Sequence, residues 1–92
     1  MQKMSITIIV SFNVEDFDKW ESEFDQGENS RTEAGITVTA YRNMDAPNNV
    51  WAIGTATSKE AFDAYFSAPA QQERMKNGGV MSLPTITFLE SG

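Results

Sequence analysis

Between Gly35 and Thr57 two β-rich runs are joined by the cluster Asp45-Ala46-Pro47-Asn48-Asn49. Asp and Asn side chains hydrogen-bond their own backbone, and Pro47 presets φ, so the cluster predicts the turn of a β-hairpin. A hairpin in the middle of so short a chain commits both flanks to packing against one antiparallel pair.

The two flanks repeat a theme. Met4 to Asn13 alternates, with Met4, Ile6, Ile8, Val10 and Phe12 on one face, which predicts a strand. The period then changes. Phe17, Trp20 and Phe24 stand at i, i+3 and i+7 among acids and Lys19, the pattern of an amphipathic helix. Asn13 is the expected N-cap, and Glu15 and Asp16 suit the positive end of the helix dipole. Gly27 interrupts the helix, Glu28 to Ala34 can resume it, and Gly35 closes the connection. After the hairpin Ser58 reads as an N-cap, followed by the stripe Ala61, Phe62, Tyr65 and Phe66. Pro69 opens a short helical turn through Met75, and Asn77-Gly78-Gly79 stops it. Pro84 to Glu90 alternates again, with Ile86 and Phe88 on one side. The order is β-α-β-β-α-β over residues 1–92, a single domain. This predicts an α+β, ferredoxin-like fold: a four-stranded antiparallel sheet, strands one and three central, with two helices on one face.

That architecture leaves a problem. Strand one carries Ile9 on its more polar face, and strand three has Trp51 and Ile53 on the face opposite Val50 and Ala52. Two helices cover only one side of a sheet. A second copy of the same sheet covers the other most economically, so a homodimer joined through its sheet faces is expected.

Composition narrows the chemistry. The chain has no cysteine and no histidine, so it lacks thiolate ligands, disulfides and the commonest general base. Its net charge of −6 argues against nucleic acid and anionic membrane as partners. Seven of the thirteen acids fall between Glu15 and Glu28, which reads as a solvated helix face. They lack the glycine that a calcium loop needs at its turn, and no metal site is expected. No apolar run approaches the ~20 residues of a membrane span. Met1 to Val10 lacks the pattern of a signal peptide, so the cytoplasm is the expected compartment. Gly78-Gly79 has no lysine-serine continuation, and the hydroxyls of Thr7, Ser11, Thr37 and Thr39 have no recognisable base. Neither a flavin nor a nicotinamide is indicated, and no cofactor is expected.

One wider pattern stands out: Val14, Asp16-Phe17, Trp20, Phe24-Asp25, Arg31, Ala34-Gly35, Tyr41-Arg42, then Asp45-x-Pro47-Asn48-x-Val50. It continues through Ala61-Phe62, Phe66, Met75, Gly79-Val80, Pro84 and Phe88-Leu89-Glu90. The pattern resembles a family of small bacterial proteins in the dimeric α+β-barrel superfamily, described as antibiotic-biosynthesis-monooxygenase-like or cyclase-like. The resemblance implies a dimeric α+β barrel and a small-molecule pocket. It also carries departures. Where oxygenases of the superfamily often have a tryptophan at the end of the third strand, this chain has Ala56. Where relatives often carry histidines, it has Phe12, Tyr65 and Met75. Histidine-dependent chemistry is therefore not implied.

A pocket in such a fold lies between sheet and helices or at the barrel mouth, lined by aromatic groups. The ligand-binding candidates are Trp20, Asp25, Tyr41, Arg42, Trp51 and Tyr65, and no catalytic residue is assigned. Trp20 belongs to the helix stripe and reads first as core. Trp51 is open between interface and pocket wall, because a one-residue slip turns it over. If Asn43 pairs with Val50, Arg42 lies opposite Trp51 and its guanidinium can stack on the indole. Arg42 otherwise pairs with Asp45 or a helix acid, or anchors a carboxylate, phenolate or enolate oxygen. Tyr41 and Tyr65 are possible proton donors. Asp25 is either a partner of Arg31 or a pocket base. Two functions stay open: a binder of a small apolar or aromatic molecule that acts as a cofactor-independent monooxygenase, cyclase or isomerase, and a non-catalytic ligand-binding or stress-related dimer.

Overall fold

A computed structural model describes residues 5–90; Met4, expected on the first strand, lies outside them. The elements are β1 (Ile6–Asn13), α1 (Phe17–Gln26), α2 (Glu28–Glu33), β2 (Ile36–Asn43), β3 (Ala46–Ala56), α3 (Lys59–Phe66), α4 (Pro69–Asn77) and β4 (Thr85–Leu89). The order is the expected β-α-β-β-α-β, with each crossover built from two helical pieces. The sheet runs β2-β3-β1-β4, antiparallel throughout, with β1 and β3 in the centre. Among the described residues no helix is long and apolar enough to cross a membrane.

Local chemistry explains the boundaries. Asp16, not Asn13, caps α1: its carboxylate accepts from the backbone N–H groups of Asp18 and Lys19 at 2.9 and 3.3 Å. The strand simply runs on through Asn13, whose side chain is taken up by a neighbouring asparagine. Ser58 caps α3 by accepting from the Ala61 N–H at 3.0 Å. Pro69 occupies the first turn of α4, where its missing N–H costs nothing. The hairpin turn is Met44-Asp45, earlier than the cluster beginning at Asp45 suggested, with Asn43 accepting from the Asp45 N–H at 2.9 Å. Ala46 to Asn49 already belong to β3.

Those residues are strand because β3 changes partner there. Asn43 pairs with Ala46 but Arg42 pairs with Val50, leaving Pro47, Asn48 and Asn49 as an excess on β3. Pro47 cannot donate to a ladder and sits where none is needed. Asn49 instead pairs with Asn13 of β1, and the Asn48 carbonyl accepts from the Val14 N–H at 2.9 Å. The core lies on one face of the sheet: Ile8, Val10 and Phe12 from β1 and Val50, Ala52 and Ala56 from β3 meet Phe17, Trp20 and Phe62 from the helices. The opposite face carries Ile9, Tyr41, Trp51, Ile53 and Leu89 without cover in a single chain, four of them exposed.

Gly54 makes the β2–β3 contact possible. A Cβ there would collide with the Thr37 carbonyl oxygen and stand 2.6 Å from the Val38 Cα. Backbone cannot give way as a flexible side chain can. Gly54→Ala is therefore expected to lower unfolding free energy by about 2 kcal/mol or more. Urea denaturation measures this, and a loss below about 0.5 kcal/mol would contradict the close packing.

Candidate functional site

Between the sheet and the helices lies a half-open cavity of about 60 Å³. Its floor is Val10, Phe12 and Ala52; its walls are Trp20, Phe24, Phe62 and Phe66. The stripes at i, i+3 and i+7 of α1 and at i and i+4 of α3 create those walls. Trp20 stacks on Phe24 with ring centroids 4.9 Å apart and meets Phe12 edge-on at 5.5 Å. Phe62 stacks on Phe66 at 5.3 Å and meets Phe88 edge-on at 5.6 Å. An apolar cavity of roughly 150 Å³ takes up benzene, and this one is smaller. An aromatic ligand therefore enters only as lining side chains move apart. Helix α4, which contributes Gln71, Arg74 and Met75 and has no buried residue, is the lining element held least firmly.

The polar end of the cavity is cationic. Arg31, on α2, is only 8% exposed. Its Nη1 donates to the Phe24 carbonyl at 2.8 Å, and its Cζ lies 3.7 Å from the centre of the Phe24 ring. Burial pushes the guanidinium below its ordinary value. The Tyr65 hydroxyl and the Glu28 carboxylate work against that, while the nearby charge of Arg74 adds to it. Arg74 donates to the Gln71 amide oxygen at 2.9 Å and toward the Tyr65 hydroxyl at 3.4 Å. Gly27 shows how near the two cations are. A Cβ on it would stand 3.1 Å from Nη1 of Arg31 and equally far from Nη1 of Arg74. A side chain there would press on both guanidiniums.

The sequence candidates divide between this cavity and other places. Trp20 and Tyr65 line it. Asp25 is exposed and lines an adjoining, more polar groove between α1, α2 and β2, which shares Phe24, Arg31, Ile36 and Val38 with the cavity. The guanidinium of Arg31 turns to the Phe24 carbonyl rather than pairing with Asp25. Tyr41 and Trp51 face each other across β2 and β3 on the uncovered side of the sheet, 52% and 38% exposed. Arg42 pairs with Val50, one position away from the expected register, so it points to the helix side and cannot stack on Trp51. It donates from Nε to the Pro47 carbonyl at 2.9 Å and lies 4.8 Å from the Phe17 ring centre. Trp51 instead donates its indole N–H to Asn49 at 2.7 Å, and Asn49 also receives a bond from Asn43 and gives one to Asn13.

Sequence reasoning gave no cavity role to Arg31 and Arg74. A signal for Arg31 was present: the α1 stripe Phe17, Trp20, Phe24 extends by the same spacing to Gly27 and Arg31. A cation on the continuation of an apolar stripe points inward. Arg74 carried no comparable mark, because α4 is polar nearly all round.

No protein-family model matches the chain, and no curated protein matches it in sequence. Solved structures match its fold over nearly the whole chain. A proposed antibiotic biosynthesis monooxygenase from Bordetella bronchiseptica is 17% identical with a TM-score of 0.80, covering 97% of this chain and 98% of that one. Another, from Caulobacter crescentus, is 10% identical with a TM-score of 0.77, covering 98% and 92%. SnoaB, a cofactor-independent oxygenase from Streptomyces nogalater, is 17% identical with a TM-score of 0.73, covering 97% and 96%. The structural neighbours are thus antibiotic-biosynthesis-monooxygenase-type proteins of ferredoxin-like fold. At such identities the fold is what is shared.

The cationic corner has a consequence for stability. Arg31 holds its charge largely out of water, with a carbonyl and a ring against it and the Tyr65 phenol and Glu28 carboxylate near enough to favour that charge. The Phe24 carbonyl keeps a second donor, the Gly27 N–H at 3.0 Å, if the arginine is removed. Arg31→Met is expected to leave unfolding free energy within about 1 kcal/mol of the parent, or to raise it. Thermal and urea denaturation test this; a loss above about 2 kcal/mol would mean that the guanidinium is structural.

Proposed function

We propose that this chain is a homodimer that binds a small apolar or aromatic molecule in the helix-side cavity. The observation that carries the reading is the cavity's construction: aromatic walls on both helical layers, with a few convergent polar groups at one end. A domain that served only to dimerise would have no use for a nine-tenths buried cation facing aromatic walls. The catalytic form of this reading is a cofactor-independent monooxygenase, cyclase or isomerase. There the substrate and dioxygen supply the reactivity, and the protein supplies a dry pocket with donors toward a developing oxyanion. Tyr65 and Glu23 are the lining groups able to exchange a proton with a bound molecule.

A second reading is a non-catalytic ligand-binding dimer. It is favoured by the polar groups themselves: Arg31, Arg74 and the Gln71 amide are chiefly donors, suited to holding a ligand rather than to removing its proton. Oxygen uptake over a panel of anthrones and quinols separates the two. Protein-dependent consumption supports the oxygenase, and a flat trace with every compound favours the binder. Binding itself is read from Trp20, which is the sole tryptophan in a Trp51→Phe variant. Saturable quenching of its emission by an anthrone or naphthol is expected, and purely linear quenching would contradict the pocket.

The dimer rests on the uncovered sheet face. Ile9, Tyr41, Trp51, Ile53 and Leu89 form an apolar surface among threonines, too continuous to be left to water. Sedimentation velocity is expected to give about twice the chain mass of 10.2 kDa. Replacing Trp51 and Ile53 together by glutamate is expected to give a folded monomer, since charges then face each other across the interface. A wild-type species at 10.2 kDa would contradict the sheet-to-sheet arrangement.

A further inference from the structure

We propose that the cavity selects ligands bearing a carboxylate, held between the guanidiniums of Arg31 and Arg74 beside the Tyr65 hydroxyl; this rests on the cavity being a binding pocket. The argument begins with where the chain spends its cations. It has seven Lys and Arg residues against thirteen Asp and Glu, yet two arginines from different helices converge on one half-enclosed corner. Their Nη1 atoms both lie within 3.1 Å of one point beside Gly27, so they are at most about twice that distance apart. Like charges so near each other, with one of them buried, are unfavourable unless an anion sits between or beside them.

Among the described residues no carboxylate accepts a hydrogen bond from either guanidinium. The hydrogen-bond acceptors of the two guanidiniums are the Phe24 carbonyl, the Gln71 amide oxygen and the Tyr65 hydroxyl, all neutral. Glu23 lines the cavity, yet among the described residues it makes no hydrogen bond to either arginine. The Glu28 carboxylate favours the charged form of Arg31 without accepting a hydrogen bond from it. Each guanidinium carries five N–H donors; among the described residues Arg31 gives a hydrogen bond from Nη1, no buried side-chain nitrogen is left without a partner, and its remaining donors are open to a molecule arriving from solvent. A carboxylate offers two oxygens in the spacing that guanidinium N–H pairs match. The aromatic walls next to the corner then take an apolar body attached to it. The ligand so defined is an aryl or other apolar carboxylate rather than a neutral hydrocarbon.

Isothermal titration with two probes of one shape, 2-naphthoate and 2-naphthalenemethanol, tests this on the native dimer. The acid is expected to bind about tenfold to a hundredfold more tightly than the alcohol, the range for hydrogen bonds to charged groups. Arg31→Met and Arg74→Met are each expected to remove most of that preference while leaving the alcohol's affinity in place. Arg42→Met, on the far side of Phe17, is expected to keep it. Arg74 lies on the surface helix α4, so its variant reports even if Arg31→Met folds poorly. Equal binding of acid and alcohol would overturn the carboxylate preference and leave the pocket standing. Binding of neither would overturn both. A preference that survives in both arginine variants and fails in Arg42→Met would place the anion at the hairpin and overturn the assignment.

Discussion

One parity governs this molecule: which face of the sheet each residue of β3 occupies. Val50, Ala52 and Ala56 lie under the helices, and Trp51 and Ile53 lie on the other side. The parity is fixed by how much β3 exceeds β2 beside the turn. Pro47, Asn48 and Asn49 stand unmatched by β2 and are handed to β1, where Asn49 meets Asn13. Adding or removing one residue would bring the indole of Trp51 under the helices and send Val50 into water. Burial opposes that strongly, since Val50 is fully enclosed. The asparagine cluster around Asn49, which also holds the Trp51 indole, fastens the same register from the open side.

From that parity the two surfaces of the sheet acquire separate tasks. The helix side closes over aromatic rings and leaves a cavity with a cationic end. The open side presents Tyr41 opposite Trp51 as a flat apolar surface suited to a second sheet. Arg42 and Trp51 are neighbours in sequence terms across one hairpin, yet they serve opposite faces. A single site built from both is therefore impossible.

Much of the fold was legible because its signals are local and repeated. The alternation of β1 and β4, the stripes of α1 and α3, the break at Gly27 and the cap at Ser58 all follow from short-range patterns. The turn was misplaced by a residue or two because Pro47 and Asn48 look like turn formers, whereas here they form a bulge whose partner strand is far away in sequence. The N-cap shifted for the same reason: pairing with β3 kept Asn13 in the strand and left Asp16 to cap. The site was less legible than the fold. Trp20 and Tyr65 were visible as aromatic groups on apolar stripes. Arg31 sits in a polar six-residue helix too short to show a period, and only its spacing from Phe24 marks it. Arg74 joins it through tertiary packing alone.

The pair of guanidiniums is the least expected feature and the one with functional content. A strongly acidic chain places one acid, Glu23, on the lining of an aromatic cavity and turns two cations toward it, the charge pattern from which we infer a site for an apolar anion. The most direct measurement is a ¹⁵N–¹H correlation spectrum of arginine Nε–Hε and tryptophan indole groups during titration with 2-naphthoate. The signals of Arg31, Arg74 and Trp20 should shift together and saturate while those of Arg42 and Trp51 stay in place. A shift of Arg42 with Arg31, Arg74 and Trp20 unmoved would contradict the assignment and return the anion to the hairpin.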